Sequence, residues 1–536
     1  VKLALELDLS NSWGSVPDEG VLTTGLRLAK NGILSIRNQF GSVGFPAALA
    51  MGRWSFVWRS HTLAAVILLL FDGSVIAANV GNDTQTKRTE IIARLDAECD
   101  CSTFERDGAI EASALDRGHL TEKTLLLAAQ LLDRLNRPVH LSILYCQALE
   151  NVDALKGLKL LRELSVRNCG KLRNVDALKH IPALTKLTLS ACPALENVDA
   201  LEKLKSLTEL ELSHCPALKN VDGLKELKSL KKLVLDVGGA LRDLGVLRRL
   251  KSLRTLYIWD CLALKDVNGL REMKSLRELD ISYCEALDDV AALKKMKSLS
   301  KLSLCSCGAL KDVDALKKVK PLRELRLDEC PALNNVNVLK RLPSLRVLSL
   351  RECKALKNLD VLRNLKSLRE LDLVYCRTLQ NLDALRELKS LRELDLTGDT
   401  LQNLDMLQGL NSLKLLDLTQ CEELENVDGL KESKSLTFLE LSDCRALQNV
   451  DGLRKSRLLT ELGFNNCIAL KNVEALKELT SLTTLDFFGC RSLQNIESVV
   501  TSLPKLQGLD LQGVPVADRA AILALDGKLK WLNTGF

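Results

Sequence analysis

Cysteines are the residues of this chain best equipped to do chemistry. There are 17, and fourteen recur at one fixed point of a repeated pattern. They are Cys146, Cys169, Cys192, Cys215, Cys261, Cys284, Cys307, Cys330, Cys353, Cys376, Cys421, Cys444, Cys467 and Cys490, and Gly238, Asp399 and Val514 take the same position elsewhere. Thiols at regular spacing invite three chemistries: zinc ligation, disulfide bonding and nucleophilic attack. The spacing argues against zinc, because no C-x₂-C pair exists and successive thiols arrive one full 23-residue unit apart. Disulfides between neighbours are disfavoured too, since side chains stacked on adjacent strands point the same way. What remains is a small apolar residue with a weak S–H donor, able to satisfy a backbone carbonyl at a crowded corner. Cys99, Cys101 and Cys305 lie off this ladder, and Cys99-Asp-Cys101 is open to a disulfide, a metal or two free thiols. Of the five histidines, neither His140 nor His214 has a nucleophile and an orienting acid at a matching place in the repeat. No phosphate-binding G-x-x-x-x-G-K-[ST] and no G-x-S-x-G occurs. The expectation is no catalytic residue, no metal, no cofactor and no small-molecule substrate.

The ladder sets the elements that must carry it. In Leu161-Arg-Glu-Leu164-Ser-Val166-Arg-Asn-Cys169 the residues about Leu164 and Val166 alternate inward and outward, as a short strand requires. In Leu379-x-x-Leu382-x-x-Leu385-x-x-Leu388 they fall every third position, which suits a 3₁₀ or single α turn. One such unit cannot bury its own apolar face, so the units must stack. Seventeen strands ~4.8 Å apart make a parallel sheet on the order of 80 Å long. An acidic column (Asp153, Asp176, Asp199, Asp222, Asp314, Asp360, Asp383, Asp405, Asp428, Asp451) opens the outer turns. Capping of free N–H groups is its expected role, ahead of calcium ligation.

The unit L-x-x-L-x-L-x-x-C-x-x-L-x-x-V-x-x-L-x-x-L-x-x resembles a leucine-rich repeat, with Cys in place of the usual Asn. Leu394-Asp-Leu396-Thr-Gly-Asp399-Thr-Leu401 and Leu509-Asp-Leu511-Gln-Gly-Val514-Pro-Val516 look like the ordinary form of that motif. The resemblance implies an α/β solenoid, a right-handed horseshoe with a parallel sheet on its concave side, short 3₁₀ or α turns on its convex side and a helical N-terminal cap. The Cys-Pro-Ala-Leu, Asn-Val-Asp-Ala-Leu and Leu-Lys-Ser-Leu runs, with Asn136-Arg-Pro-Val-His140-Leu leading in, are similar to the cysteine-containing leucine-rich repeat families of kinetoplastid parasites. That likeness implies protein–protein interaction and supplies no ligand.

Composition bounds the rest. A formal charge of +6 from 75 basic and 69 acidic residues is small for 536 residues, so nothing in it demands nucleic acid or an anionic membrane. Residues 1–50 show no sustained periodicity and read as an upstream extension. From Met51, basic Arg53 and Arg59, the apolar run Leu63–Phe71 and small Ala77-Ala78 follow in the order of a signal peptide or signal anchor over 51–78. The alternative is a long extension holding one buried helix. Asn82-Asp-Thr84 would be a glycosylation site on the secretory route. Residues 79–137 read as a helical cap, 138–515 as the solenoid of about 17 units, and 516–536 as the C-terminal cap, whose charges exclude a lipid-anchor signal. Membrane attachment would therefore run only through an uncleaved N-terminal anchor. Many free thiols suit a reducing cytosol, whereas the 51–78 segment suits secretion or the cell surface.

Binding residues are sought at outward positions, namely two, four and six residues before the ladder and the one just before it. All four tyrosines of the chain fall there, Tyr145, Tyr257, Tyr283 and Tyr375, as does Trp259. Tyr and Trp are the types enriched where partners bind, and Tyr257, Trp259 and Tyr283 are expected to form one patch. Asp280, Arg326, Asp328, Arg351 and Phe488 share these positions. The later units carry an acidic column, with Asp372, Asp395, Asp417 and Glu440, continuing to Asp486 and Asp510. Like charges on neighbouring strands are unfavourable, so the column is expected to steer a basic protein to the inner face unless duplication merely copied it. Ser433 and Ser456 replace the apolar residue closing two outer turns, and a softer convex surface is expected there. Three functions remain: a secreted or surface protein-binding module, an intracellular adaptor such as a ubiquitin-ligase recognition subunit, or a structural, antigenic surface protein.

Overall fold

The computed structural model describes residues 83–535, except for short stretches at 100, 107, 116–120, 238–240 and 242. The extension, the 51–78 segment, Asn82 and the ladder position of Gly238 lie outside the described residues. Two helices, α1 (Asp83–Cys99) and α2 (Glu122–Arg134), flank a hairpin of β1 (Cys101–Arg106) and β2 (Ala109–Leu115). Thr121 caps α2, its hydroxyl accepting from the Thr124 N–H while Thr124 reaches back. Leu125, Ala128, Leu131 and Leu132 then face the core from one side of α2. The expected helical cap is thus half sheet. Cys99 closes α1 and Cys101 opens β1, both buried and neither in a disulfide.

From β3 (Val139–Leu144) to β19 (Gly508–Asp510) the chain lays down one strand per unit, each paired in parallel with the last. β2 joins β3 in parallel, and β20 (Trp531–Asn533) extends the other end beside β19. Only β1 runs antiparallel. All 20 strands form one sheet, with the core between it and the outer turns. The strands named below are β5 (Lys186–Ser190), β7 (Lys232–Asp236), β8 (Thr255–Trp259), β9 (Glu278–Ser282), β13 (Glu370–Asp372) and β14 (Glu393–Asp395).

Strict register gives the solenoid its core. Leu164 pairs with Leu187, Leu187 with Leu210 and Leu210 with Leu233, so identical side chains stack in files with 0–2% exposure. The fourteen ladder thiols form another file, all buried. As expected, they donate to backbone carbonyls: Cys215 to Ser213 at 3.3 Å within its own unit, Cys376 to Leu350 at 3.0 Å and Cys490 to Phe464 at 2.9 Å in the preceding unit. Burial pushes the thiols of Cys330 and Cys376 up to about 12, which keeps them protonated and unreactive. Asp399 is the exception within this file. It is 4% exposed, neither carboxylate oxygen has a hydrogen-bond partner, and burial raises it to about 7.

The outer turns are capped, but not by the acidic column. The Asn or Asp two residues earlier accepts the turn's first N–H: Asn151 from Asp153 at 2.8 Å, Asp289 from Ala291 at 2.7 Å, Asn381 from Asp383 at 2.7 Å. This is an Asx turn. The expected capping column instead forms exposed pairs one turn on, such as Asp153 with Lys156 at 2.9 Å and Asp428 with Lys431 at 3.2 Å. Ser433 and Ser456 stay buried, and Ser456 donates to the Ser433 carbonyl at 3.0 Å, so a hydrogen bond replaces the lost apolar contact.

Candidate binding face

Alternation along each strand projects two rows of side chains from the inner face, four and six residues before the ladder, with a third row two residues before it near the rim. The outermost row alternates in charge from strand to strand over the first half: Glu111, His140, Glu163, Lys186, Glu209 and Lys232. His140 Nδ1 lies 2.9 Å from Glu111, Lys186 is 3.6 Å from Glu163, and further along Lys301 is 3.3 Å from Glu324. Opposite charges across strands stabilise the sheet and leave that half nearly neutral. Uncharged Thr255 and Val347 interrupt the pattern, and at β13 like charges meet, with Glu370 facing Glu393.

The middle row changes at the same place. Asp372 pairs with Asp395, Asp395 with Asp417 and Asp417 with Glu440, four acids in consecutive strands. Each has local work. Asp372 accepts the Val374 N–H at 3.2 Å, Asp395 the Thr397 N–H at 3.0 Å, Asp417 the Thr419 N–H at 2.9 Å and Glu440 the Ser442 N–H at 3.1 Å. These bonds fix the bend that ends each strand. Burial, partly offset by Arg351, lifts Asp372 to about 7. Burial, opposed by the Ser442 hydroxyl and reinforced by Asp417, does the same to Glu440, and burial with Asp417 raises Asp395. Arg351 is the local counterion, its Nε 3.1 Å from Asp372 and a terminal nitrogen 3.8 Å from Asp395. Asp328 bonds the Ser349 hydroxyl and accepts the Arg351 N–H at 3.1 Å, while Arg326 is held by Glu324 at 3.0 Å. Arg326, Asp328 and Arg351 are thus already engaged within the face, as is Asp280 by the Ser282 hydroxyl at 2.5 Å.

The aromatic residues divide. Tyr257 and Trp259 stack, with ring centroids 5.4 Å apart and planes at 9°, and the Lys232 ammonium sits 5.9 Å from the Tyr257 centroid. Tyr145, Tyr283 and Tyr375, expected on the strands, occupy left-handed corners with φ of 62°, 59° and 54°. These corners turn them to the rim, and Tyr283 makes no ring stack with Trp259 among the described residues. Tyr283 is 45% exposed, with Glu329, Cys305 and Asp280 near enough to raise its hydroxyl beyond the effect of burial. Tyr375 donates to Gln420 at 2.6 Å, so its hydroxyl is not free for a partner. Phe488 stands 40% exposed on the inner face near the C-terminal end. The corner itself was missed in the sequence. Its signal is the run of Asn168, His214, Asp260, Gly398, Asp443, Asn466 and Gly489 just before the ladder, types that tolerate positive φ.

Comparison with known proteins fits this geometry. A family model described as plant disease resistance protein RPS2-like leucine-rich repeats matches residues 174–308 and 240–377, and one described as BspA type leucine-rich repeat region matches 417–505. This chain is a leucine-rich repeat protein. Among solved structures, a leucine-rich repeat protein of Leptospira interrogans aligns at 20% identity and TM-score 0.56, over 67% of this chain and 93% of that one. Mouse RP105, solved in complex with MD-1, aligns at 17% and 0.51, over 80% and 91%. TLR13, solved with the RNA ssRNA13, aligns at 21% and 0.50, over 75% of this chain and 61% of TLR13. These likenesses establish the leucine-rich repeat fold, and no curated protein matches the chain. None of these relatives is named as a kinetoplastid protein, and they do not support an exclusion of nucleic acid. No helix among the described residues is long and apolar enough to cross a membrane.

Proposed function

We propose that this leucine-rich repeat protein is a non-enzymatic interaction module that holds a basic protein segment on its concave face, and that it acts in secreted or surface-attached form. One observation carries the reading. Opposite charges offset one another across strands in the first half of the face, whereas from β13 onward four acids stand in consecutive strands and Arg351 pairs with only the first two, Asp372 and Asp395. Holding partly buried Asp372, Asp395 and Glu440 beside the buried Asp417 is unfavourable without a partner, and basic side chains would relieve it. The same repulsion disfavours a nucleic acid on this half. The kinetoplastid likeness and the segment over 51–78 support the surface setting. An intracellular adaptor is the second reading, and 17 cysteines without a disulfide favour it.

The test is affinity capture with three intact chains: the parent, one carrying Asp372→Asn, Asp395→Asn and Glu393→Gln, and one carrying the convex change Lys225→Ala. Loss of the same captured protein from the concave variant alone supports the reading. Equal capture by all three sinks it. N-terminal sequencing and glycan analysis at Asn82 of the natural product decide the compartment.

A further inference from the structure

A second recess lies away from the acidic column, at the rim where the early units turn. It encloses about 550 Å³ and runs past Ala191, Pro193, His214, Pro216, Asp236 and Asp260. Its construction follows from the corner geometry. Ala191, His214 and Asp260 sit at left-handed corners with φ of 53°, 53° and 54°, Ala191 and His214 in adjacent units and Asp260 two units beyond His214. Pro193 and Pro216, each just past a ladder cysteine, supply an apolar floor with no N–H groups to satisfy. Asp236 and Asp260 stand at the far end.

The charges there are out of balance. Asp236 keeps 14% of its side chain exposed, and its partner is the His214 ring, with Nδ1 3.1 Å away. Asp260 has no ion-pair partner among the described residues. Glu211, the other acid facing Asp236, is itself engaged by Arg167 at 3.7 Å. Burial raises the Asp236 carboxyl despite His214, and Asp260 and Glu211 add to the rise. In register beside Asp236, and one residue before Asp260, lies Trp259, stacked on Tyr257.

We propose that this rim groove is a binding site for an arginine side chain presented by an extended, proline-containing segment of a protein partner. The inference rests on reading the chain as a protein-binding module, and it places a contact outside the concave acidic half. The prolines match the aliphatic and prolyl surface of such a segment. Two carboxylates at one end of the groove match a guanidinium, which is planar, weakly hydrated and able to bond both at once, better than a compact ammonium. Asp260 supplies an acceptor with no ion-pair partner among the described residues, and Asp236 exchanges a histidine for a permanent cation.

The test uses the full chain and two blocked peptides, acetyl-Pro-Leu-Arg-Pro-amide and its citrulline counterpart, which has the same shape without the charge. Calorimetric titration should show the arginine peptide binding at least tenfold tighter than the citrulline peptide. Asp236→Asn with Asp260→Asn should abolish that preference, and Asp260→Asn alone should reduce it. Asp260 is exposed and Asp236 is mostly buried beside His214, so an unchanged circular dichroism melt of each variant is needed to confirm the fold. Equal affinity for the two peptides, or no affinity for either, overturns the assignment. A preference that survives in the rim variant and disappears in the Asp372→Asn, Asp395→Asn variant also overturns it, and leaves the concave-face reading standing. Loss of peptide preference in the rim variant, with protein capture unaffected by the concave substitutions, does the reverse.

Discussion

The Tyr375 hydroxyl donates to Gln420 Oε1 at 2.6 Å, so one side chain spans two repeat units. Its ring lies directly over Gly398, where a Cβ would come within 2.1 Å of the ring carbons, and Gly398 holds φ at +74°. Arg377 covers the ring at 5.6 Å and donates to the Gly398 carbonyl at 2.9 Å. The tyrosine, the glycine and the shortened unit at Asp399 form one local design. Gly398→Ala must lose both the left-handed corner and the ring's seat, and should cost on the order of 3 kcal/mol. Tyr375→Phe loses one hydrogen bond and should cost about 1 kcal/mol. Urea unfolding of both variants checks the order, and a smaller loss for the glycine change would refute this account.

Asp399 should make stability depend on pH. Its folded value of about 7 lies above the ordinary 3.8, so the folded chain holds this proton more tightly than the unfolded one. Such a group favours folding fully at acid pH, and the benefit is lost as pH climbs from about 4 toward 7. Asp372 and Glu440 carry the same sign. Asp399→Cys restores the thiol file and should raise stability by a few kcal/mol at pH 8, given ~1.4 kcal/mol per pKa unit, and by less at pH 5. Thermal melts at the two pH values suffice. A gain independent of pH would mean that ionisation is not the cause.

The sequence pointed to the aspartates that open the outer turns as their caps, and the polar column two residues earlier was overlooked. The structure assigns the task to the Asn column, which makes a discriminating pair of changes available. Asn381→Ala removes the acceptor for the Asp383 N–H and should cost about 1 kcal/mol. Asp383→Ala removes an exposed contact with Arg386 at 4.0 Å and should cost under about 0.5 kcal/mol. Chemical denaturation of the two variants ranks them, and equal costs would return the cap to the aspartate.

Thiol accessibility provides a further check. In the native chain the ladder cysteines should resist alkylation at neutral pH. Cys305 is the one thiol with intermediate exposure, so it should label first. Its rate should still be slow, because burial and Asp328 both raise it. Mass mapping after timed exposure to a maleimide reads this directly. Rapid labelling of Cys353 or Cys444 without unfolding would contradict the packed file.

Much of the architecture could be read from the residues alone. The leucine offsets dictate strand, turn and stacking, because an apolar file has only one way to be buried in register. The S–H to carbonyl bonds followed from the crowded corner. The rim did not, since the residue before each cysteine continues the outward alternation until a positive φ diverts it. Tyr283 and Tyr375 moved off the strands for that reason alone. The acidic column was visible, but its internal duty was not: Asp395 and Asp417 look like free charges in a sequence and prove to be acceptors for the bend of their own strand. The neutral first half was also missed, because alternation between strands is written 23 residues apart.

The reversed β1 has a consequence for solubility. A stack of parallel strands open at both ends is a template for head-to-tail polymerisation, each copy extending the last into a filament. At this end the strand runs backward, so an incoming copy would meet the wrong hydrogen-bond polarity for continuing the parallel order. Continuing the parallel order from copy to copy needs both ends to match, and among the described residues this six-residue strand breaks the match.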